Sequence, residues 1–126
     1  MWHILLRITV GILLFIHGMA HWQIITGWGS QSNVQSWLLP QMAASNLQSL
    51  GNFLWVATLL TFVLAAILLF FSVEWWRAVA VVASVLSLVV IVLFWQPNMV
   101  LGVAVDVGIL VALLWAKWPT PVLLGA

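Results

Sequence analysis

Cysteine and tyrosine are both missing from the 126 residues. Without cysteine there is no disulfide, no thiolate metal site, no sulfur-ligated cluster and no redox-active dithiol. Charge is nearly as scarce: three Lys+Arg and two Asp+Glu make up 4% of the chain, against roughly 25% in an ordinary soluble domain. A chain that is 66% hydrophobic with so few charges is solvated by lipid, which excludes a water-soluble globule. A formal net charge of +1 leaves no basic footprint for nucleic acid. Glycine-rich phosphate loops and paired carboxylates are also lacking. Ser84 and Ser87 have no evident base, and hydroxyls in membrane helices usually bond back to their own backbone. What is abundant is tryptophan, at ten residues.

The length allows one domain, and the apolar runs divide it into four helices. Between Ile8 and Val73 there is no Asp, Glu, Lys or Arg. That stretch is too long for one crossing and is interrupted by a polar insert. Each crossing needs about 20 residues for about 30 Å of hydrocarbon, which places spans at about 3–22, 53–71, 78–95 and 99–116. The segment Glu74–Arg77, where Glu74 is expected beside Arg77, and the segment Gln96–Asn98 form tight hairpins. Pro119 and Pro121 follow the last span. The expectation is an all-α, polytopic membrane four-helix bundle in a single domain. The first helix reads as retained, because Gly18-Met19-Ala20 is a poor signal-cleavage site.

Lys and Arg favour the cytoplasmic side of short loops. Arg7, Arg77 and Lys117 fall at the same end of four crossings, so both termini are expected inside. The opposite loops, 23–52 and 96–98, carry no charge. Trp prefers the headgroup level, and the ten residues split evenly between the two ends. Trp2, Trp75, Trp76, Trp115 and Trp118 mark the inner interface; Trp22, Trp28, Trp37, Trp55 and Trp95 mark the outer one. The long outer loop 23–52 mixes Trp37, Leu38, Leu39 and Met42 with polar residues around Pro40. It reads as one or two short interfacial helices with Ser36 or Ser45 as N-cap. The lipid bilayer is the partner the composition implies, in a bacterial or archaeal inner membrane.

Polar groups within lipid are costly, so each calls for a reason. His3, Arg7, Leu14, His17 and His21 follow one stripe of the first helix, bordered by Gly11 and Gly18, which would let another helix approach closely. Asp106 is the one acid inside a span. It lies about 10 Å from the outer start of the fourth helix and His17 about 7.5 Å from the outer end of the first, at 1.5 Å per residue. With His21, Asn52 and Thr58 they outline one polar pocket in the outer half. Arg7 is left to snorkel at the inner end.

Four readings of that pocket compete. Hydrogen bonding of His17 to Asp106 can simply fix helix packing. Imidazole and carboxylate can bind, or exchange protons with, a small molecule such as a quinone headgroup whose tail lies among apolar helices. Two His and one carboxylate also match a metal-ligand count, although no other residue supports a metal and none is assigned. Last, His17 or His21 could ligate a haem or a chlorophyll-type tetrapyrrole. They cannot be opposed axial ligands of one ring, since they share a helix face.

The segment Leu6-Arg7-Ile8-Thr9-Val10-Gly11-Ile12-Leu13-Leu14-Phe15-Ile16-His17-Gly18-Met19-Ala20-His21 resembles the opening of the DoxX-like membrane proteins. In that family an Arg, a Gly four residues on and a His-Gly pair recur in the first of four spans, followed by a polar outer loop. His21 stands where many members have Lys, and the second helix lacks their acid. The resemblance implies a small four-helix subunit, in some members tied to quinone-linked sulfur-compound oxidation or to assemblies of redox enzymes. The expected function is therefore a small integral subunit of a larger membrane complex, redox or quinone-linked, with other membrane-protein subunits as partners. The sparse polar equipment argues against independent catalysis. The alternative is a stand-alone membrane oxidoreductase or quinone-binding protein using the His/Asp pocket.

Overall fold

The computed structural model describes residues 1–28 and 34–125, apart from the side chains at 22–28 and 98. The described residues form four main helices: α1 (Trp2–Trp28), α2 (Ala44–Phe70), α3 (Trp76–Leu93) and α4 (Val100–Leu110), the last continuing as a π-helical turn through Val111–Trp115. Three of them are long and apolar enough to cross a membrane, which makes this a multi-pass membrane protein. The fourth apolar stretch, Val100–Trp115, reaches only about 24 Å at 1.5 Å per residue. A helix of that length matches the hydrocarbon thickness only where the bilayer is locally thinned.

Helix α2 starts at Ala44, ahead of the expected Phe53, and α1 continues to Trp28. The segment 44–52, expected to hold a separate interfacial helix, is instead the first turns of α2. Neither candidate serine caps it: Ala43 occupies that position without a side-chain bond, and Ser45 lies inside the helix. Ser36 has another task. Its hydroxyl donates to the Leu93 carbonyl at 2.6 Å, and the Trp37 indole N–H donates to Val92 at 2.7 Å. The last carbonyls of a helix have no intrahelical donor, so these two side chains tie the connection to the end of α3. Of the remaining expected loop, 29–33 lies outside the described residues, as do the side chains of Trp22 and Trp28.

At the other end, α2 stops in a Schellman motif. Ser72 takes φ 58°, its N–H donates to Leu69 and that of Val73 to Leu68, satisfying two carbonyls the helix would leave open. This turn brings α3 antiparallel against α2. The two close through small, buried Ala65, Ala66, Ala80 and Ala83.

Gly18 sets the approach of α1 to α2. A Cβ there would lie 2.7 Å from Phe62 Cβ, a contact with no flexible end to move aside. Gly18→Ala is therefore expected to lower stability by about 1–3 kcal/mol through overpacking, read from denaturation of the purified protein in detergent. An equal loss in Gly108→Ala, whose Cβ would meet nothing within 4 Å, would show that crowding is not the cause.

The helices pack in chain order, α1 on α2, α2 on α3 and α3 on α4, whereas the backbones of α1 and α4 stay apart. Beneath them the C-terminal segment folds back. Arg7 donates to the Leu124 carbonyl and Arg77 to that of Pro119, while Leu124 is buried in the core. The Arg7 guanidinium is thus engaged by protein rather than left at the surface. Arg77 lies 5.2 Å from the centre of the Trp76 ring, and among the described residues it makes no ion pair with Glu74. Backbone carbonyls held close by the folded-back segment each take one guanidinium nitrogen, in place of the exposed carboxylate on the hairpin, while Arg7 Nε stays buried without a partner.

The tryptophans differ in burial. Trp2, Trp37, Trp75, Trp95, Trp115 and Trp118 are exposed, whereas Trp55 and Trp76 are buried. Both of the latter occur on the inward stripe of their helices, where ring area adds most to packing.

Candidate functional site

The polar side chains collect in the middle of the bundle, between two apolar clusters. One cluster, toward the chain termini, is built on Leu14, Phe62, Leu69 and Trp76. The other, toward the 28–44 connection, is built on Leu47, Trp55, Val90 and Phe94. His17 and His21 come from α1, one turn apart, Ser87 from α3 and Asp106 from α4.

His17 Nε2 lies 2.8 Å from Asp106 Oδ1. Ser87 Oγ is hydrogen-bonded to Asp106 Oδ2, and His21 Nε2 lies 3.0 Å from the same hydroxyl. The remaining ring nitrogen, His21 Nδ1, donates to the His17 carbonyl at 3.1 Å. Asp106 and Ser87 have no solvent exposure and His21 retains 3%, while the His17 side chain keeps 12%. In low-dielectric surroundings a satisfied network of this kind is strong, and a missing member is costly.

Aromatic rings hold the imidazoles in place. Phe62 meets His17 edge-on at 4.8 Å and stacks beside His21 at 5.9 Å. Trp55 tilts against His21 at 5.3 Å, and the two imidazoles meet edge to face at 5.4 Å. Gly18 is what admits Phe62 this far.

The expected pocket residues separate into two groups. His17, His21 and Asp106 are joined; Asn52 and Thr58 stay out of the network. The Thr58 hydroxyl donates to Leu54 in its own helix at 2.7 Å, and Asn52 Oδ1 is buried without a partner. Ser87 is the member that sequence reasoning passes over. Its signal is positional: buried positions of α3 run Trp76, Ala80, Ala83, Ser84, Ser87, Val90 and Ile91, a helical stripe in which both serines face inward.

Serine, histidine and aspartate in contact invite comparison with a hydrolytic triad, but the roles are arranged differently. In a triad the carboxylate orients the histidine through its far nitrogen; here Asp106 binds the serine itself, and His21 Nδ1 faces a carbonyl. Ser87 is also closed to any substrate by burial. Among the described residues no three His, Asp or Glu side chains converge as a metal-ligand group. Both Nε2 atoms that could ligate a metal or a tetrapyrrole are directed at protein partners. The arrangement suits hydrogen bonding and proton exchange.

Beside this network is a cavity of about 930 Å³, formed where α1 and α4 part. Leu13, Leu14 and His17 line one wall; Val105, Gly108 and Ala112 line the other. Trp55 and Trp76 contribute to its lining, as does Trp118 near the end occupied by the C-terminal segment. His17 and His21 are the titratable groups that reach it.

Comparison with protein-family models, characterised proteins and solved structures finds no match. The chemical reading of the site therefore rests on its own geometry.

Proposed function

We propose that the chain is a membrane protein that holds an amphiphilic, carbonyl-bearing small molecule of the quinone class between α1 and α4, with its headgroup at His17 and its tail along the apolar walls. The observation that carries this reading is the cavity of about 930 Å³ opening on a partly exposed imidazole. That volume falls in the range of small-molecule sites, which are mostly apolar with a few fixed polar groups. His17 is held on one side by Asp106 and remains accessible on the other. The proposed orientation has both termini in the cytoplasm of a bacterial or archaeal inner membrane. It is supported by Arg7 and Arg77, which bind the same C-terminal segment that carries Lys117.

A second reading is favoured by one further observation. Ala104, Gly108 and Ala112 repeat every four residues along α4 and its π-helical continuation, and Gly108 has open space around it. Small residues at this spacing admit close helix approach in membranes, so a partner helix could occupy the seam. This is the subunit role in a larger, redox-linked complex that the DoxX-like first helix implies.

Titration of the detergent-purified protein with a short-chain quinone distinguishes them. Trp55, Trp76 and Trp118 line the cavity, so binding is expected to quench tryptophan fluorescence saturably, and His17→Ala to weaken it by about tenfold, the equivalent of one hydrogen bond at about 1.4 kcal/mol. Quenching that never saturates, together with co-purification of larger membrane subunits, would overturn the ligand reading in favour of the subunit one.

A further inference from the structure

The contacts among Asp106, Ser87 and His21 restrict where hydrogens can be. A backbone carbonyl only accepts, so His21 Nδ1, 3.1 Å from the His17 carbonyl, carries a hydrogen. If His21 is neutral, its Nε2 is then a bare acceptor, and the Ser87 hydroxyl must donate to it across 3.0 Å. Ser87 has one hydrogen to give. Its contact with Asp106 Oδ2 is in that case filled by a hydrogen on the carboxyl group. If Ser87 donates to an ionised Asp106 instead, His21 Nε2 must carry a second hydrogen and the ring is an imidazolium. Ionised Asp106 beside neutral His21 sets two lone pairs against each other at one contact, inside a site where three side chains have between 0% and 3% exposure. Burial penalises such a mismatch.

We propose that Asp106, Ser87 and His21 together hold one exchangeable proton, and that Ser87 is the relay passing it between carboxyl and imidazole. In the transfer, the O–H bond at Asp106 Oδ2 breaks as one forms at Ser87 Oγ, and the original Ser87 hydrogen moves to His21 Nε2. The carboxyl becomes a carboxylate and the imidazole an imidazolium. No electrons change hands, and the total charge is constant. From α1 the further titratable group facing this trio is His17, at Asp106 Oδ1; from α2 the Trp55 and Phe62 rings face the imidazoles. The proton count stands on these contacts alone, whereas its use as the donor to a bound carbonyl headgroup rests on the ligand reading above.

The test is a proton inventory of the full chain in detergent micelles, without added ligand, at neutral pH. Imidazole ¹⁵N spectra, assigned with His3→Gln and His17→Gln, report both His21 nitrogens, and infrared spectra report the C=O stretch of a protonated carboxyl. The expected result is a protonated Nδ1, with Nε2–H and carboxylic-acid signals that sum to about one proton per chain. Both signals are expected to vanish in Asp106→Asn, whose amide N–H can fill the same contact to Ser87. A neutral His21 without an acid band in the wild-type protein, or a bare Nδ1, overturns the proposal. The wild-type spectra decide it even if the variant does not fold. Because no quinone is present, failure here is separate from failure of the titration above, and the reverse also holds.

Discussion

Gly108→Phe is expected to weaken quinone binding by at least about a hundredfold, nearly 3 kcal/mol, while helix content and the denaturation midpoint stay at wild-type values. The reason is geometric. Gly108 lies on the α4 wall of the cavity, and a Cβ built there meets no atom within 4 Å. An aromatic ring can therefore enter the space without displacing the core, and it takes the volume the ligand needs. Helix propensity does not oppose the change, since glycine is a poorer helix former than phenylalanine. Fluorescence titration measures the first quantity and circular dichroism during denaturation the second. Retained affinity would mean that the ligand lies elsewhere. If the variant instead loses association with larger subunits and the wild type shows no saturable quinone binding, a partner helix occupies the seam.

Asp106→Ala and Asp106→Asn are expected to differ sharply. Alanine removes the acceptor for His17 and the partner of Ser87, leaving both polar groups without it in the bundle interior. Single hydrogen bonds inside membrane proteins contribute about 0.6 kcal/mol on average and up to about 1.7, so losing two is expected to cost about 1–3 kcal/mol. The Asn side chain has the same shape, accepts from His17 at its carbonyl oxygen and donates to Ser87 through its amide. Its stability is expected within about 0.5 kcal/mol of wild type, the usual effect of a substitution that breaks no such feature. Unfolding of the three proteins in a mixed-detergent titration measures both values. Equal midpoints for the Ala and Asn variants would mean that the network contributes nothing to packing.

Much of the architecture is legible without coordinates because membrane solvation constrains it so strongly. The all-helical class follows from backbone groups that lipid cannot satisfy, and the spans from runs of apolar residues. Boundaries are less legible. Ala44–Asn52 is polar enough to resemble a loop, yet it continues α2, because Leu47 and Gly51 lie on its buried stripe. Likewise, Trp76 reads as an interfacial anchor from its neighbours Glu74, Trp75 and Arg77. Its burial depends on the direction in which the hairpin turns α3, which the Ser72 conformation sets.

For the site, His17 and Asp106 are suggested by similar depth along their helices, since length along a helix is readable at a fixed rise per residue. Rotation about the helix axis is not readable in the same way for a sequence with few polar markers. That is why Thr58, at a suitable depth, bonds to its own helix, and Ser87, with no distinguishing mark in the sequence, joins Asp106 to His21.

The scarcity of charge, by itself, determined that lipid is the solvent, that helices are the elements and that any buried acid must find a partner. Tertiary structure alone decided which partners those are and where the bundle stays open. Composition acts on every residue alike, through transfer from water to lipid. Hydrogen bonds and helix seams depend on distances of a few ångströms between residues far apart in the chain, and packing sets those distances: Gly18 against Phe62, the alanines between α2 and α3, and the gap between α1 and α4.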